Sequence, residues 1–343
     1  MKVIPGIYQV QLPIPDNALG LINAYIVEGD DGWLMVDAGW KSPEAFAVLG
    51  ESLQRLGISV HDIDKVVVTH AHPDHYGLAG RLREETGAIV YLHEMEKKSV
   101  EWWRERLADE SHNPGLALQA GGMPADEILE AFESIPKPED MEPPAWPDVL
   151  LDGGEIISTG RFDLEVIWTP GHSPGHICLY ERNSRILFSG DHILPVITPN
   201  VNHFDPETGE NPLRQYLDSL EAVKGLDVDV VLPAHEHVFH DLHGRVQELF
   251  THHRLRLEAI LNVCRGGRRS VYEIAREIPW MEGVREGPNA GGMKFDELPL
   301  IHKMLAMGET AVHLELLRKE GKAARYLSGI SVSYETRDSF LGV

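Results

Sequence analysis

Short apolar runs rich in β-branched residues, each stopped by glycine or proline, recur through the first two-thirds of the chain. Residues 6–12, 21–27, 33–36, 65–69, 88–92, 156–157, 162–168, 176–180, 186–188 and 228–232 read as strands. Between them, residues 43–56, 74–85, 213–223 and about 238–263 carry apolar positions at helical spacing. Strands interleaved with helices predict an α/β or α+β protein, and periodicity alone goes no further.

The polar residues that follow these strands carry the chemistry. Lys65-Val66-Val67-Val68-Thr69 runs into His70-Ala71-His72-Pro73-Asp74-His75-Tyr76, which sets three imidazoles and one carboxylate within six residues. Pro73 breaks the strand, so the cluster falls at the C-terminal end of a buried strand, where α/β proteins put their sites. The same device recurs three times. Gly171-His172 follows the run ending at Trp168, Gly190-Asp191-His192 follows Ile186-Leu187-Phe188, and Ala234-His235-Glu236-His237 follows the run ending at Pro233. Histidine and aspartate together suit zinc, manganese or iron.

These ordered motifs, with Asp37 in Met35-Val36-Asp37-Ala38-Gly39 upstream, resemble those of the metallo-β-lactamase superfamily. The resemblance covers about residues 5–240, with residues 95–150 excepted. It implies an α/β fold, a four-layer αββα sandwich in residues 1–242, with the site at one edge between the sheets. It implies two divalent ions, zinc first, with manganese or iron as alternatives. One would be held by His70, His72 and His172, the other by Asp74, His75 and His235, and Asp191 would bridge them. Asp74 and Asp191 are the implied catalytic residues, around a hydroxide bridging the ions, and Asp37 and Thr69 would steady ligand imidazoles by hydrogen bonds. The implied activity is binuclear hydrolysis of a small ester, thioester, lactone or phosphoester. Leu194 stands where acyl-homoserine lactonases carry tyrosine, and His72 stands where diiron flavoproteins carry glutamate. Two alternatives stay open: a metallo-endonuclease acting on RNA or single-stranded DNA, and a mono-iron dioxygenase, which shares the His-x-His-x-Asp-His string.

Two segments are extra. Residues 95–147 hold helical patterns at 97–108 and 125–132 and read as a helical, cap-like insertion. As a lid it would line a substrate pocket with Trp102, Trp103 and Met123; the alternative is packing against the core or against a partner subunit in a homodimer. His203, on the loop after Asp191, is a further substrate-pocket candidate. Residues 243–343 continue the long helix and then show helical patterns at 270–277, with Ser270 as N-cap, at 299–306 and at 309–320. Gly321 is the expected stop, and 323–327 with 329–334 form a hairpin pattern. This C-terminal domain resembles the winged-helix tail of some superfamily members, endoribonuclease-like ones included.

Composition adds limits. The net charge of −23 disfavours unassisted binding to nucleic acid or anionic membranes; a small-molecule substrate is what the resemblance implies. All of the net negative charge falls in the first 242 residues, because Lys and Arg slightly outnumber Asp and Glu from residue 243 on. The near-neutral tail has no strong basic surplus, which counts against nucleic-acid binding there; the winged-helix resemblance keeps it as an alternative. No apolar run approaches the roughly 18 residues of a membrane span, and residues 1–8 lack the apolar stretch of an export signal. Cys178 and Cys264, the only cysteines, read as free thiols, which fits an expected cytoplasmic location.

Overall fold

A computed structural model describes residues 1–15, 19–108, 115–133, 144–202, 210–280 and 293–337. Contacts divide the chain into two compact units. The first comprises Met1–Glu105, Pro143–Pro195 and Ser219–Arg245, and the second Arg106–Glu142, Val196–Asp218 and Val246–Val343.

The first unit holds two sheets. One contains β1 (Lys2–Ile4), β2 (Ile7–Pro13), β3 (Leu21–Glu28), β4 (Trp33–Val36), β5 (Ile63–Val67), β6 (Ile89–His93) and β7 (Val149–Leu151), in that order. Pairing is antiparallel through β4 and parallel from β4 to β7. The other runs β12-β11-β10-β9-β8, built from β8 (Ile156–Ser158), β9 (Asp163–Trp168), β10 (Ile177–Glu181), β11 (Ile186–Gly190) and β12 (Val230–Pro233). Only β11 and β12 pair in parallel.

The inner strands β3 and β4 of the first sheet are buried on both faces, which explains their near-continuous apolar runs, whereas β2 carries Gln9 and Gln11 and β5 carries Asp64 and Lys65. Tyr25, Val27, Leu34, Val36 and Val67 pack with Leu164, Val166, Leu179, Phe188 and Leu232 of the second sheet. The alternating residues Ala24, Ile26, Met35 and Val66 turn the other way. They pack on Ala45, Leu49 and Leu53 of α1 (Pro43–Arg55) and on Leu82 of α3 (Ala79–Thr86). Helix, sheet and sheet are thus stacked as the αββα sandwich requires. The parallel pairs matter most for the site, because parallel neighbours end at the same edge. Residues following β4, β5 and β6 emerge together, as do those following β11 and β12.

The expected helix over 74–85 is two helices, α2 (Pro73–Tyr76) and α3. The break comes at Leu78, whose amide donates to Gly39 O at 3.1 Å instead of to the preceding turn. The long helix begins at Leu242 rather than near residue 238, because Phe239 still pairs with Val231 and the Asp241 carboxylate accepts the Gly244 amide.

In the second unit, α5 (Gly115–Ala120) and α6 (Ala125–Glu133) share a core with the tail helices. These are α8 (Leu242–Cys264, from Val246 onward), α9 (Val271–Glu277) and α10 (Leu300–Lys319). A three-stranded sheet completes it, ordered β13 (Arg269–Ser270), β15 (Ser331–Thr336), β14 (Ala323–Ser328). Residues 299–306 and 309–320, expected as two helices, are one: α10 runs through Gly308, which lies against Asn202 with no room for a side chain. Among the described residues no helix is long and apolar enough to cross a membrane.

Candidate metal centre

Four loops at the strand ends of the first unit bring seven donor side chains together. His70 and His72 follow β5, Asp74 and His75 lie on or beside α2, and His172 sits in the β9–β10 connection. Asp191 follows β11, and His235 follows β12. Three groups of donor atoms lie within 4.8 Å of one another: His70, His72 and His172; His70, His75 and Asp191; Asp74, His75 and His235.

In the first group, His70 Nε2 is 2.8 Å from His72 Nδ1, and His172 Nε2 is 3.2 and 3.1 Å from those two atoms. Donors about 2.0–2.1 Å from a tetrahedral ion stand about 3.3 Å apart, so this triangle fits a small dication closely. Asp191 faces both sets. Its Oδ2 is 3.5 Å from His172 Nε2 and from His75 Nε2, while its Oδ1 is 3.4 Å from His235 Nε2. Asp74 Oδ2 is 3.3 Å from His235 Nε2.

The opposite ring nitrogens are already engaged, which fixes which nitrogen faces inward. His75 Nδ1 donates to Asp37 Oδ2 at 2.9 Å, and His235 Nδ1 donates to Leu21 O at 3.1 Å. Thr69 Oγ1 lies 3.1 Å from His70 Nδ1 and 3.0 Å from each Asp37 oxygen, while the Thr69 amide donates to Asp37 Oδ1 at 2.8 Å. His75 Nε2, His235 Nε2 and Asp191 Oδ1 are left buried without a hydrogen-bond partner. Buried polar atoms are rarely left so, and three aimed at one point fit a cation between them.

Charge agrees with this fit. Asp37, Asp74 and Asp191 have histidine partners and no lysine or arginine partner among the described residues. Burial pushes the Asp74 carboxyl up, yet His75 and His235 outweigh it and hold it at about 2. Burial opposes charge on His75, but Asp191, Asp37 and Asp74 raise it well above the ordinary imidazole value. His70 and His72 go the other way. Burial and the neighbouring imidazoles lower both, His72 to about 3, so each keeps a lone pair at neutral pH.

A family model described as the metallo-beta-lactamase superfamily matches residues 18–235. The chain belongs to that superfamily. A crystal structure of a metallo-beta-lactamase family protein from Thermus thermophilus is 30% identical with a TM-score of 0.77, covering 98% of this chain and 100% of that one. A probable metallo-hydrolase of Bacillus subtilis is 24% identical over 337 residues, or 95% of this chain and 97% of its own length. An acyl-coenzyme A thioesterase, MBLAC2 of Gallus gallus, is 28% identical over 63% of this chain and 73% of its own. Membership in this family, whose relatives include named metallo-hydrolases, makes the protein a metal-dependent hydrolase.

The structure brings the seven expected ligands and the two expected supports, Asp37 and Thr69, together in the first unit. The pocket residues fare differently. Met123 is only 3% exposed and packs among Ile260, Val271, Ile274 and Met307 in the core of the second unit, so it is a core residue there and not a pocket wall. Trp103 is half-buried on α4 (Lys97–Ala108), whereas the Trp102 side chain and His203 lie outside the described residues.

Other side chains support the donors, and two of them, Tyr25 and Asn23, lie in no motif. Tyr25 Oη and Asn23 Nδ2 both donate to Pro233 O, at 2.7 and 3.0 Å, and Asn23 Nδ2 also reaches Glu236 O, so β3 grips the loop bearing His235. His176 accepts the Asp191 amide on Nε2 at 3.0 Å, and its Nδ1 pairs with Thr169 Oγ1 at 2.8 Å. Gly190 has φ +50°, and a Cβ there would lie 2.6 Å from His176 Nε2, so only glycine lets that ring approach.

Proposed function

We propose that the protein is a binuclear hydrolase of a small ester, thioester, lactone or phosphoester, with acyl thioesters and esters foremost. The observation that carries this reading is Asp191, whose carboxylate turns one oxygen toward His172 and His75 and the other toward His235. His70, His72 and His172 would hold one ion, Asp74, His75 and His235 the other, and Asp191 would be shared. Zinc leads as the metal, because five of the seven donors are imidazole nitrogens and three of them, on His70, His72 and His172, stand at the spacing of a tetrahedral zinc site. A bound pair of divalent ions supplies a nucleophilic water at neutral pH and polarises the carbonyl or phosphoryl oxygen of the substrate.

The chain's own part is orientation and charge. Asp37 and Leu21 O fix the imidazoles of His75 and His235 with Nε2 inward. Asp74 is ionised at neutral pH and turns Oδ2 toward His235 Nε2, and we assign it to holding the second ion and orienting the attacking water. The thioesterase named among the relatives supports an acyl thioester as substrate. The free, buried thiols Cys178 and Cys264 suit the reducing cytoplasm, where we place the protein.

The test joins metal analysis to a substrate panel. Protein purified without chelator should carry about two zinc equivalents per chain. Asp191→Ala should lose at least one of them together with most activity. Aryl esters, lactones, acyl thioesters, phosphoesters and RNA then compete on the loaded enzyme. One iron per chain with oxygen uptake would replace the hydrolase reading by the dioxygenase. RNA cleavage without esterase or thioesterase activity would replace it by the nuclease.

A further inference from the structure

One buried carboxylate outside the donor set touches both loops that carry His70, His72 and His172. Glu96 is 1% exposed and ends the single turn, Glu94–Glu96, that follows β6. Its Oε2 accepts the amide of Ala71, the residue between His70 and His72, at 3.2 Å. Its Oε1 accepts the amide of Gly175, three residues beyond His172, at 2.8 Å. Among the described residues it makes no ion pair, so these backbone donors are its compensation for burial. The contact is tight: a Cβ on Gly175 would lie 2.8 Å from Glu96 Cγ and 2.8 Å from its backbone nitrogen.

A carboxylate is the one side chain that suits this place. It accepts on both oxygens, whereas a glutamine would turn an NH2 group against one of the two amides. Alanine would leave both amides buried and unpaired. Asp37 does the corresponding work elsewhere, joining the Thr69 amide to the His75 ring. Asp37 thus reaches His75 directly and His70 through Thr69, while Glu96 spans the loops on either side of the first group.

We propose that Glu96 is a positioning residue that sets the spacing of His70, His72 and His172, and so sets metal affinity at that site without touching the ion. This rests on the two-ion reading above. Wild type, Glu96→Gln and Glu96→Asp are loaded with zinc and titrated with a competing chelator. Cobalt spectra of the same proteins report each site, and circular dichroism with melting of the metal-free proteins reports the fold. Glu96→Gln should weaken one site about 10–100-fold and leave the other as in wild type. Glu96→Asp keeps the charge but is one methylene shorter; it should weaken the same site less, and it carries the test if the glutamine variant does not fold. Wild-type affinity at both sites, or equal weakening at both, overturns the proposal. If the wild type itself binds one ion, the two-ion reading fails. Glu96 is then judged on that ion, where 10–100-fold weaker binding supports it and unchanged binding overturns it.

Discussion

Asp37 shows how much one residue holds in place. Its backbone has φ +58°, a conformation that side chains other than glycine rarely adopt, Asn and Asp being the usual exceptions. The turn sends its carboxylate to the Thr69 amide, the Thr69 hydroxyl and His75 Nδ1. Asparagine tolerates the same φ, but its NH2 meets a donor on one side. Asp37→Asn should therefore keep the fold and weaken metal binding about 10–100-fold. Asp37→Ala should in addition lower the stability of the metal-free protein by about 1–3 kcal/mol, from the unpaired Thr69 amide and the strained φ. Chelator competition and denaturant melts separate the two effects. Wild-type affinity in Asp37→Asn would remove Asp37 from the role given to it. The motif around Asp37 made this support legible in the sequence. Glu96 was not legible, because a lone glutamate in Glu94-Met95-Glu96 carries no spacing signal and its partners are backbone amides of distant loops.

At the scale of elements, strands were the most readable, because inner strands such as β3 and β4 are buried on both faces and leave long apolar runs. β7 was not among the expected strands: it has three residues, and only one is buried. The boundaries that moved were set by tertiary contacts, as at Leu78 and Phe239, and α10 was split at a glycine that the fold tolerates. That helix also carries a buried polar cluster facing α8. His253 Nδ1 lies 3.2 Å from His313 Nε2, and Arg256 Nε lies 3.6 Å from Glu309 Oε1. Burial lowers His313 to about 4 and His253 well below its usual value. Unfolded, both take a proton near 6.5. The folded chain then binds fewer protons, so this stability is complete above about 6.5 and is lost as the pH falls toward 4. Glu309, opposed by burial but held at about 2 by His252 and Arg256, adds a loss in the same direction below about pH 4.5. Melting temperatures should fall through this range, and His313→Asn should flatten the slope between pH 6.5 and 4. A variant with the wild-type slope would show that these imidazoles do not control acid stability.

For the molecule as a whole, the sequence motifs point to a catalytic half and a tail, and the contacts draw a different line. Residues 115–133, expected as part of a lid, share a core with the tail helices: Met123 packs with Ile260, Ile274 and Met307, and Tyr272 Oη donates to Glu127 Oε1 at 2.7 Å. Nothing in the sequence marks that partnership, because an apolar helix face does not name the face it meets. A chain ending at Arg245 would keep all seven donor residues but lose most of that core, leaving Met123 and its neighbours in α5 and α6 without the helices that bury them. Each large apolar side chain exposed in this way forfeits about 1.5–3 kcal/mol of burial. The truncated protein should therefore aggregate or bind a hydrophobic dye, while far-UV circular dichroism keeps a strand signal from the sandwich. Nucleic-acid retention offers a second readout. The 343-residue chain, with its charge of −23, should show no salt-dependent binding to single-stranded RNA between about 50 and 200 mM salt, the range over which proteins that hold nucleic acid by phosphate contacts lose affinity steeply. A soluble, monomeric truncation with full metal content and esterase activity, set against a 343-residue chain that holds RNA at low salt, would assign the tail to nucleic-acid binding instead of to the core of its own unit.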